Sequence, residues 1–225
     1  MSLPWFLRKE YVETYESFYE TKYKKVVELE KELLSKALKE LGNAESLLEV
    51  GCGTSYFTRW FEKNFKLYAV GMDISPLMLK EAKKRWRGDL VQGEAHYLPF
   101  RDRSFDAIAF ITCMEYMPRL EEVIKEATRV SRKGLIIGLM NKWSLPTLRR
   151  MIQIALGKNP YYTNTTFYSI LGIKKKLKKA LNNDFKIVYW DTTAFPKIFG
   201  RLKSRKFPFG AFLCLGVKTE NERNR

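Results

Sequence analysis

The sequence predicts an α/β fold, and three stretches carry that prediction. Leu47-Leu48-Glu49-Val50 is a short apolar run that ends on Gly51-Cys52-Gly53-Thr54 and leads into Tyr56, Phe57, Trp60 and Phe61 at helical spacing. Such a pattern is a buried strand, a glycine turn and an amphipathic helix. A second apolar run, Tyr68-Ala69-Val70-Gly71-Met72, ends on Asp73, and a third covers Phe105–Ile111. Helical periodicity follows each run, as parallel strands joined by crossover helices require.

From the N-terminus, residues 11–41 read as helix with a break near Tyr23. Tyr11, Tyr15, Phe18 and Tyr19 share one face, Val26, Leu29, Leu33, Ala37 and Leu41 recur at helical spacing, and Gly42-Asn43 closes the segment. Aromatic stripes of this kind more often pack in a core than bind a ligand, and Phe18 is expected to do so. In the glycine turn, two glycines one residue apart let the backbone bend sharply and admit a ligand against the main chain. Thr54 or Ser55 is expected to cap the following helix, whose free N–H groups aim at the strand's end.

The turn's sequence discriminates among nucleotides. A dinucleotide fingerprint wants a third glycine where this chain has Tyr56, and no Gly-Lys-Ser/Thr follows to make a phosphate-cradling loop. Two acids remain. Glu49 precedes the first glycine, and Asp73 ends the next strand, where a carboxylate can accept both hydroxyls of a ribose. Ser75-Pro76 already supply a helix cap and a first-turn proline, which leaves Asp73 for other work.

Further on, Lys66–Met72 is the second strand, and Pro76–Trp86 a helix with Leu77, Leu79 and Ala82 inward. Leu90-Val91-Gln92 is the third strand and Phe105–Ile111 the fourth. Thr112–Met117 follows the carboxyl end of the fourth strand, where open α/β sheets bind their ligands. Leu120–Val130 is an amphipathic helix and Gly134–Met140 a fifth strand. Helices at Leu145–Leu156 and Ile170–Leu181 flank the turn-rich Gly157–Thr166, and Lys186–Trp190 and Gly210–Val217 close the sheet.

Glu49-Val50-Gly51-Cys52-Gly53-Thr54, Gly71-Met72-Asp73-Ile74-Ser75, Gly93-Glu94-Ala95-His96-Tyr97-Leu98-Pro99-Phe100 and Ser104-Phe105-Asp106-Ala107-Ile108 together resemble a class I S-adenosylmethionine-dependent methyltransferase of the small-molecule type. The likeness covers roughly residues 45 to 140, and four segments in order are far more specific than one glycine pair. It implies a Rossmann-like, doubly wound sheet of seven strands in the order 3-2-1-4-5-7-6, the last antiparallel. An N-terminal helical lid and a helical insertion after the fifth strand complete the expected fold. S-adenosylmethionine is the implied cofactor. Its implied contacts are Tyr11, Tyr15, Tyr19, Glu49, Gly51, Cys52, Gly53, Asp73, Ile74, Met78, Glu94, Ala95, Ile111 and Thr112. Most relatives carry Asp where this chain has Glu94, and often histidine where it has Glu115 and Tyr116. Glu115 and the lid tyrosine Tyr15 are therefore the candidate catalytic groups, and His96 is expected to be a surface residue.

The whole chain reads as one domain: N-terminal helices over 1–44, a cofactor-binding core over 45–140, a basic helical insertion over 141–183 and closing strands over 184–218. Three dispersed cysteines suggest neither a disulfide framework nor a zinc site. No signal peptide and no membrane-spanning apolar run is evident, so the expectation is a cytoplasmic protein without bound metal. Abundant lysine and glutamate with little glutamine hint at a thermophile source.

The net charge of +16 is uneven. Residues 1–120 hold 19 Lys/Arg and 18 Asp/Glu, whereas residues 121–225 hold 22 and 7. Nine cations and no acid fall within 141–183 (Lys142, Arg149, Arg150, Lys158, Lys174, Lys175, Lys176, Lys178, Lys179), and five more within 197–206. Trp143, Tyr161, Tyr162, Phe167, Tyr168, Phe195 and Phe199 interleave them. Charge of this kind speaks of partners. The expected acceptor is small or lipid-like and anionic, with RNA as the alternative partner and a non-catalytic cofactor-binding protein as the alternative class.

Overall fold

A computed structural model of the chain describes residues 4–21, 23–159, 162, 164–193 and 206–219. A 3-10 turn at Trp5–Leu7 leads into helices α1 (Lys9–Glu20) and α2 (Lys24–Leu41). The sheet and its crossovers follow as β1 (Ser46–Val50), α3 (Tyr56–Phe65), β2 (Tyr68–Asp73), α4 (Pro76–Arg85), β3 (Asp89–Gln92), β4 (Phe105–Ile111), α5 (Leu120–Val130) and β5 (Ser131–Met140). Helices α6 (Leu145–Ala155) and α7 (Ile170–Leu181) form the insertion, and β6 (Phe185–Thr193) and β7 (Phe212–Thr219) close the sheet.

The seven strands lie in the order β3-β2-β1-β4-β5-β7-β6. β1 to β5 are parallel, and β7 runs antiparallel between β5 and β6. This is the topology that the resemblance implied. Alternation along each strand divides the core between the two faces. Leu48, Ile108, Phe110 and Leu135 face α5 and α7 through Leu120, Ile124, Ile173 and Leu177. Leu47, Ala107, Ala109 and Ile136 face α2 and α3 through Leu34, Ala37, Phe57 and Phe61. Small residues on the second face let those helices sit close to the sheet.

Several local expectations need correction. Ser55 stands at the start of α3 in a left-handed conformation (φ 60°) and makes no capping bond; its hydroxyl turns instead toward Cys52 Sγ at 3.5 Å. Leu29 is exposed and Val26 half-buried, and the core face of α2 is instead Val27, Leu33, Leu34, Ala37, Leu38 and Leu41. In α4 it is Met78, with Leu79 and Ala82, that turns inward, while Leu77 is half-buried. β6 runs on through the polar Asp191-Thr192-Thr193, since Asp191 Oδ1 accepts the Thr192 and Lys206 N–H groups at 2.8 and 3.0 Å. Of the aromatics interleaved with charge, Phe167 and Tyr168 are buried rather than displayed. Tyr161, Phe195 and Phe199, the cations from Lys197 to Arg205, and the side chain of Phe18 lie outside the described residues.

Candidate active site

A cavity of about 320 Å3 lies beyond the carboxyl ends of β1, β2 and β4 and beneath the chain's N-terminal segment. Its floor is the glycine turn. Gly51 (φ 73°) and Gly53 (φ 53°) are both left-handed, the region in which only glycine is unstrained. A Cβ at Gly51 would lie 2.7 Å from Cys113 Cβ, so this glycine lets β1 and β4 converge. At Gly53 the nearest atoms to a Cβ, Tyr15 Cε1 and Met78 Sδ, are 3.8 and 3.9 Å away. That position is a cradle with room for a ligand.

Asp73 at the end of β2 sits against this turn. Its Oδ2 accepts the Gly53 N–H and its Oδ1 the Ser75 N–H, both at 2.8 Å. The carboxylate is thus not idle as the sequence implied, but each oxygen keeps a second lone pair for a hydroxyl. Burial pushes its pKa up, against the pull of those N–H groups. As expected, Ser75 caps α4 by accepting the Met78 N–H. Glu49, one strand away and buried, accepts the Thr58 hydroxyl, and burial drives its pKa up to about 8. Thr54 Oγ1, also buried on the wall, has no hydrogen-bond partner among the described residues.

On the β3 side, Glu94 and Tyr97 form a tight antiparallel bridge that turns Tyr97 outward and His96 inward. His96 is therefore buried on the cavity wall rather than on the surface. Its Nε2 donates to the Pro118 carbonyl at 2.8 Å, and Nδ1 lies 3.0 Å from Glu94 Oε1. The imidazole joins the loop after β3 to the loop after β4.

The roof comes from α1 and the turn before it. Trp5 packs on Tyr15 with ring centroids 5.0 Å apart, and Trp5 and Phe6 meet Tyr116 at 6.2 and 5.9 Å. Tyr15 and Tyr19 share a hydroxyl hydrogen bond of 2.7 Å, and Tyr19 stacks on Tyr56. Two polar contacts fasten the roof to the body. Ser75 Oγ donates to the Phe6 carbonyl at 2.5 Å, and the buried Glu16 carboxylate pairs with Arg59 of α3 and lies 3.4 Å from Arg85 of α4.

Among the expected contact residues, Tyr15, Tyr19, Glu49, Gly51, Cys52, Gly53, Asp73, Ile74, Met78, Glu94, Ala95, Ile111 and Thr112 all line the cavity. Tyr11 does not. Trp5 and Phe6 are the N-terminal aromatics that join Tyr15 and Tyr19 on the wall, and the Tyr11 ring instead lies under the Arg8 guanidinium, 4.6 Å away. Glu115 is also off the wall. It is buried behind the Met114–Tyr116 3-10 turn, where Oε1 accepts the Met140 N–H at 2.6 Å and burial raises its pKa to about 7. Trp5, Phe6 and Pro118 on the wall were not anticipated, whereas Cys113, Tyr116 and Met117 come from the Thr112–Met117 stretch expected at the end of β4. The adjacent aromatics Trp5-Phe6, just ahead of the tyrosine stripe, were the available signal.

Among the described residues the lining contains three carboxylates (Glu49, Asp73, Glu94), one imidazole and no Lys or Arg. Aromatic faces, hydroxyl acceptors beside a glycine turn and net negative charge suit a cation joined to a ribose and a flat base. The open cradle at Gly53 and the unpartnered Thr54 hydroxyl leave it both room and a polar contact. S-adenosylmethionine fits these residues. Among the described residues no group of three or more His, Cys, Asp or Glu side chains could hold a metal ion.

Residues 48–137 match the family model described as a methyltransferase domain. An uncharacterized protein of Methanocaldococcus jannaschii is 33% identical over 154 residues, 67% of this chain and 69% of that protein. A demethylmenaquinone methyltransferase of Thermotoga maritima is 37% identical over 98 residues, but the chain spans only 43% of its length. The crystal structure of an S-adenosylmethionine-dependent methyltransferase, also from Thermotoga maritima, superposes with a TM-score of 0.67 at 23% identity, covering 96% of this chain and all of that one. With the 3-2-1-4-5-7-6 sheet in place and the family match running from β1 and the glycine turn through to β5, the chain belongs to the class I S-adenosylmethionine-dependent methyltransferases.

Proposed function

We propose that this protein transfers the methyl group of S-adenosylmethionine to an amphiphilic or aromatic acceptor that is uncharged where it meets the donor. The observation that carries this reading is the composition of the cavity wall: carboxylates at the strand ends, aromatic rings above, and no cation among the described residues. Bound there, S-adenosylmethionine would supply an electrophilic methyl carbon. Asp73 would hold the ribose, the Glu94-Ala95 backbone the adenine edge, and Glu49 with the aromatic rings the cationic end.

The residues' own work is then alignment and exclusion of water. Trp5, Phe6 and Tyr116 close the side opposite the glycine turn. Burial raises the pKa values of Tyr15, Tyr19 and Tyr116, so these phenols keep their protons and orient an acceptor by donating hydrogen bonds. Tyr15 is on this reading a positioning group, and Glu115, turned away to Met140, is not the base. Among the described residues no Lys or Arg lines the cavity, which argues against an anionic group at the methyl carbon. An acceptor with a lipid-like body remains consistent with them, as does a cytoplasmic site of action. Demethylmenaquinone, named for the Thermotoga relative, is one candidate of this class.

The test is transfer from methyl-labelled donor to three pools: an extracted lipid fraction, a set of water-soluble amines and carboxylates, and bulk RNA. Label in the lipid fraction supports the reading. Label confined to RNA or to small acids overturns the acceptor class, and no donor binding by calorimetry overturns the site.

A further inference from the structure

We propose that α6 is a membrane-docking helix that seats the protein on an anionic lipid surface. An amphipathic helix ordinarily turns its apolar stripe to the core, and α5 and α7 do so, burying five and four residues. In α6 the sense is reversed. Its one buried residue is Thr147, whereas Leu145, Leu148 and Ile152 are 61%, 51% and 54% exposed, with Leu156 just beyond at 61%. At 100° per residue these four fall within a single narrow stripe, on the side opposite Thr147. Trp143 and Phe209, also exposed and with ring centroids 6.3 Å apart, lengthen the patch at the helix's start. An unshielded aliphatic stripe of this extent is uncommon on a surface that meets only water.

Charge selects the occupant. The exposed cations Lys142, Arg149 and Lys158 border the stripe, and no acid occurs anywhere in 141–183. Aliphatic residues flanked only by cations describe a helix lying in the headgroup layer of an anionic bilayer. A protein partner is the poorer match, since lysine is depleted from such interfaces. A second copy would set like charges against each other. RNA would use an array of stacking rings, whereas the stripe on α6 itself is aliphatic and only Trp143 and Phe209 stand at its start. The neighbouring α7 adds Lys174, Lys175 and Lys178, exposed along with Leu171. It begins beside α6, because the Lys142 N–H donates to the Tyr168 carbonyl at 3.0 Å.

This inference goes beyond the reading of the donor site, and its test needs no donor, so the two can fail separately. The full-length protein is sedimented with phosphatidylcholine vesicles and with vesicles in which one third of the lipid is phosphatidylglycerol. Wild type should partition to the anionic vesicles at least about tenfold better, and added salt should erase that preference. The variant Leu145→Gln, Leu148→Gln, Ile152→Gln changes only exposed side chains. It should melt at the wild-type temperature and lose about tenfold or more of the partitioning. The charge variant Lys142→Glu, Arg149→Glu, Lys158→Glu should lose the anionic preference. Equal wild-type binding to both vesicles, or undiminished binding by the glutamine variant, overturns the proposal. A wild-type dimer in sedimentation velocity that the glutamine variant dissolves overturns it in favour of self-association. Binding to RNA that depends on the same leucines overturns it in favour of a nucleic acid.

Discussion

Asp73 Oδ2 accepts the Gly53 N–H at 2.8 Å, so the carboxylate proposed to hold the ribose also holds the turn on which the donor would lie. Its replacement should be felt twice. Asp73→Ala removes two charged hydrogen bonds to the ribose and frees the Gly53 amide, a loss of roughly 2–4 kcal/mol in donor affinity. Asp73→Asn, which keeps an acceptor oxygen, should fall between. Titration calorimetry with S-adenosylmethionine measures both, and an unchanged affinity in the alanine variant would take Asp73 out of the site.

The two glycines of the turn should respond differently to alanine. Gly51→Ala both strains a left-handed position and drives a methyl group into Cys113, which together should cost about 2–4 kcal/mol of stability. Gly53→Ala meets no close atom and should cost only about 1–2 kcal/mol of strain, yet its methyl group fills the cradle. The expected pattern is a damaged fold in the first and a folded protein with weak donor binding in the second. Chemical denaturation and calorimetry on both variants separate these outcomes, and the reverse order would contradict the geometry.

Glu16 is the polar link between the roof and two helices of the body. Its carboxylate is buried while Arg59 and Arg85 are partly exposed, so Glu16→Gln should cost only about 1–2 kcal/mol of stability. Donor affinity should drop alongside. Trp5→Ala removes the ring on Tyr15 without touching the ion pairs and should lower affinity with less effect on melting. Full donor affinity in both variants would reduce the N-terminal segment to packing.

Glu49 and Glu115 make stability depend on pH in an unusual direction. Both are buried and keep a proton up to about 8 and about 7, whereas an unfolded glutamate ionises at about 4.3. Between those limits the unfolded chain binds fewer protons than the folded one, so stability falls as pH rises from about 4.5 toward 8. The slope is at most about 1.4 kcal/mol per pH unit for each group. Urea midpoints without donor should therefore be higher near pH 5 than near pH 8. Glu49→Gln should flatten that difference, and a Glu49→Gln slope matching wild type rules this carboxyl out as its source. A cationic donor beside Glu49 should in turn bind more tightly as pH rises through the same window.

Much of this arrangement was legible in the residues. Gly51, Gly53 and Asp73 announce themselves because a turn, a close approach and a strand-end carboxylate each restrict residue type at a fixed spacing. The parallel strands were equally plain, since β4 is a nearly unbroken apolar run, buried throughout, and α5 an amphipathic pattern of helical period. His96 and Glu115 were misplaced for one common reason. Whether a polar side chain points into a cavity or away from it depends on the one-residue phase of a short turn, which hydrophobic periodicity does not fix. Tyr11 failed on a tertiary fact, the folding of Trp5-Phe6 back over α1. The outward leucines of α6 could not be told from core leucines, because an amphipathic pattern gives the stripe but not the side on which the protein lies.

The hydrogen bond from Ser75 to the Phe6 carbonyl ties the roof to the residue that caps α4, two positions from Asp73. On the proposed reading, whatever occupies the ribose position lies beneath this segment, which would have to peel away before the spent molecule leaves. Turnover would then have a gate in series with the chemistry. Rapid-quench mixing should show a first methylation faster than the steady rate that follows, and loosening the gate at Glu16 or Ser75 should raise the steady rate while weakening retention of the donor. In such an enzyme the grip that raises occupancy at low donor concentration also sets the pace when donor is plentiful.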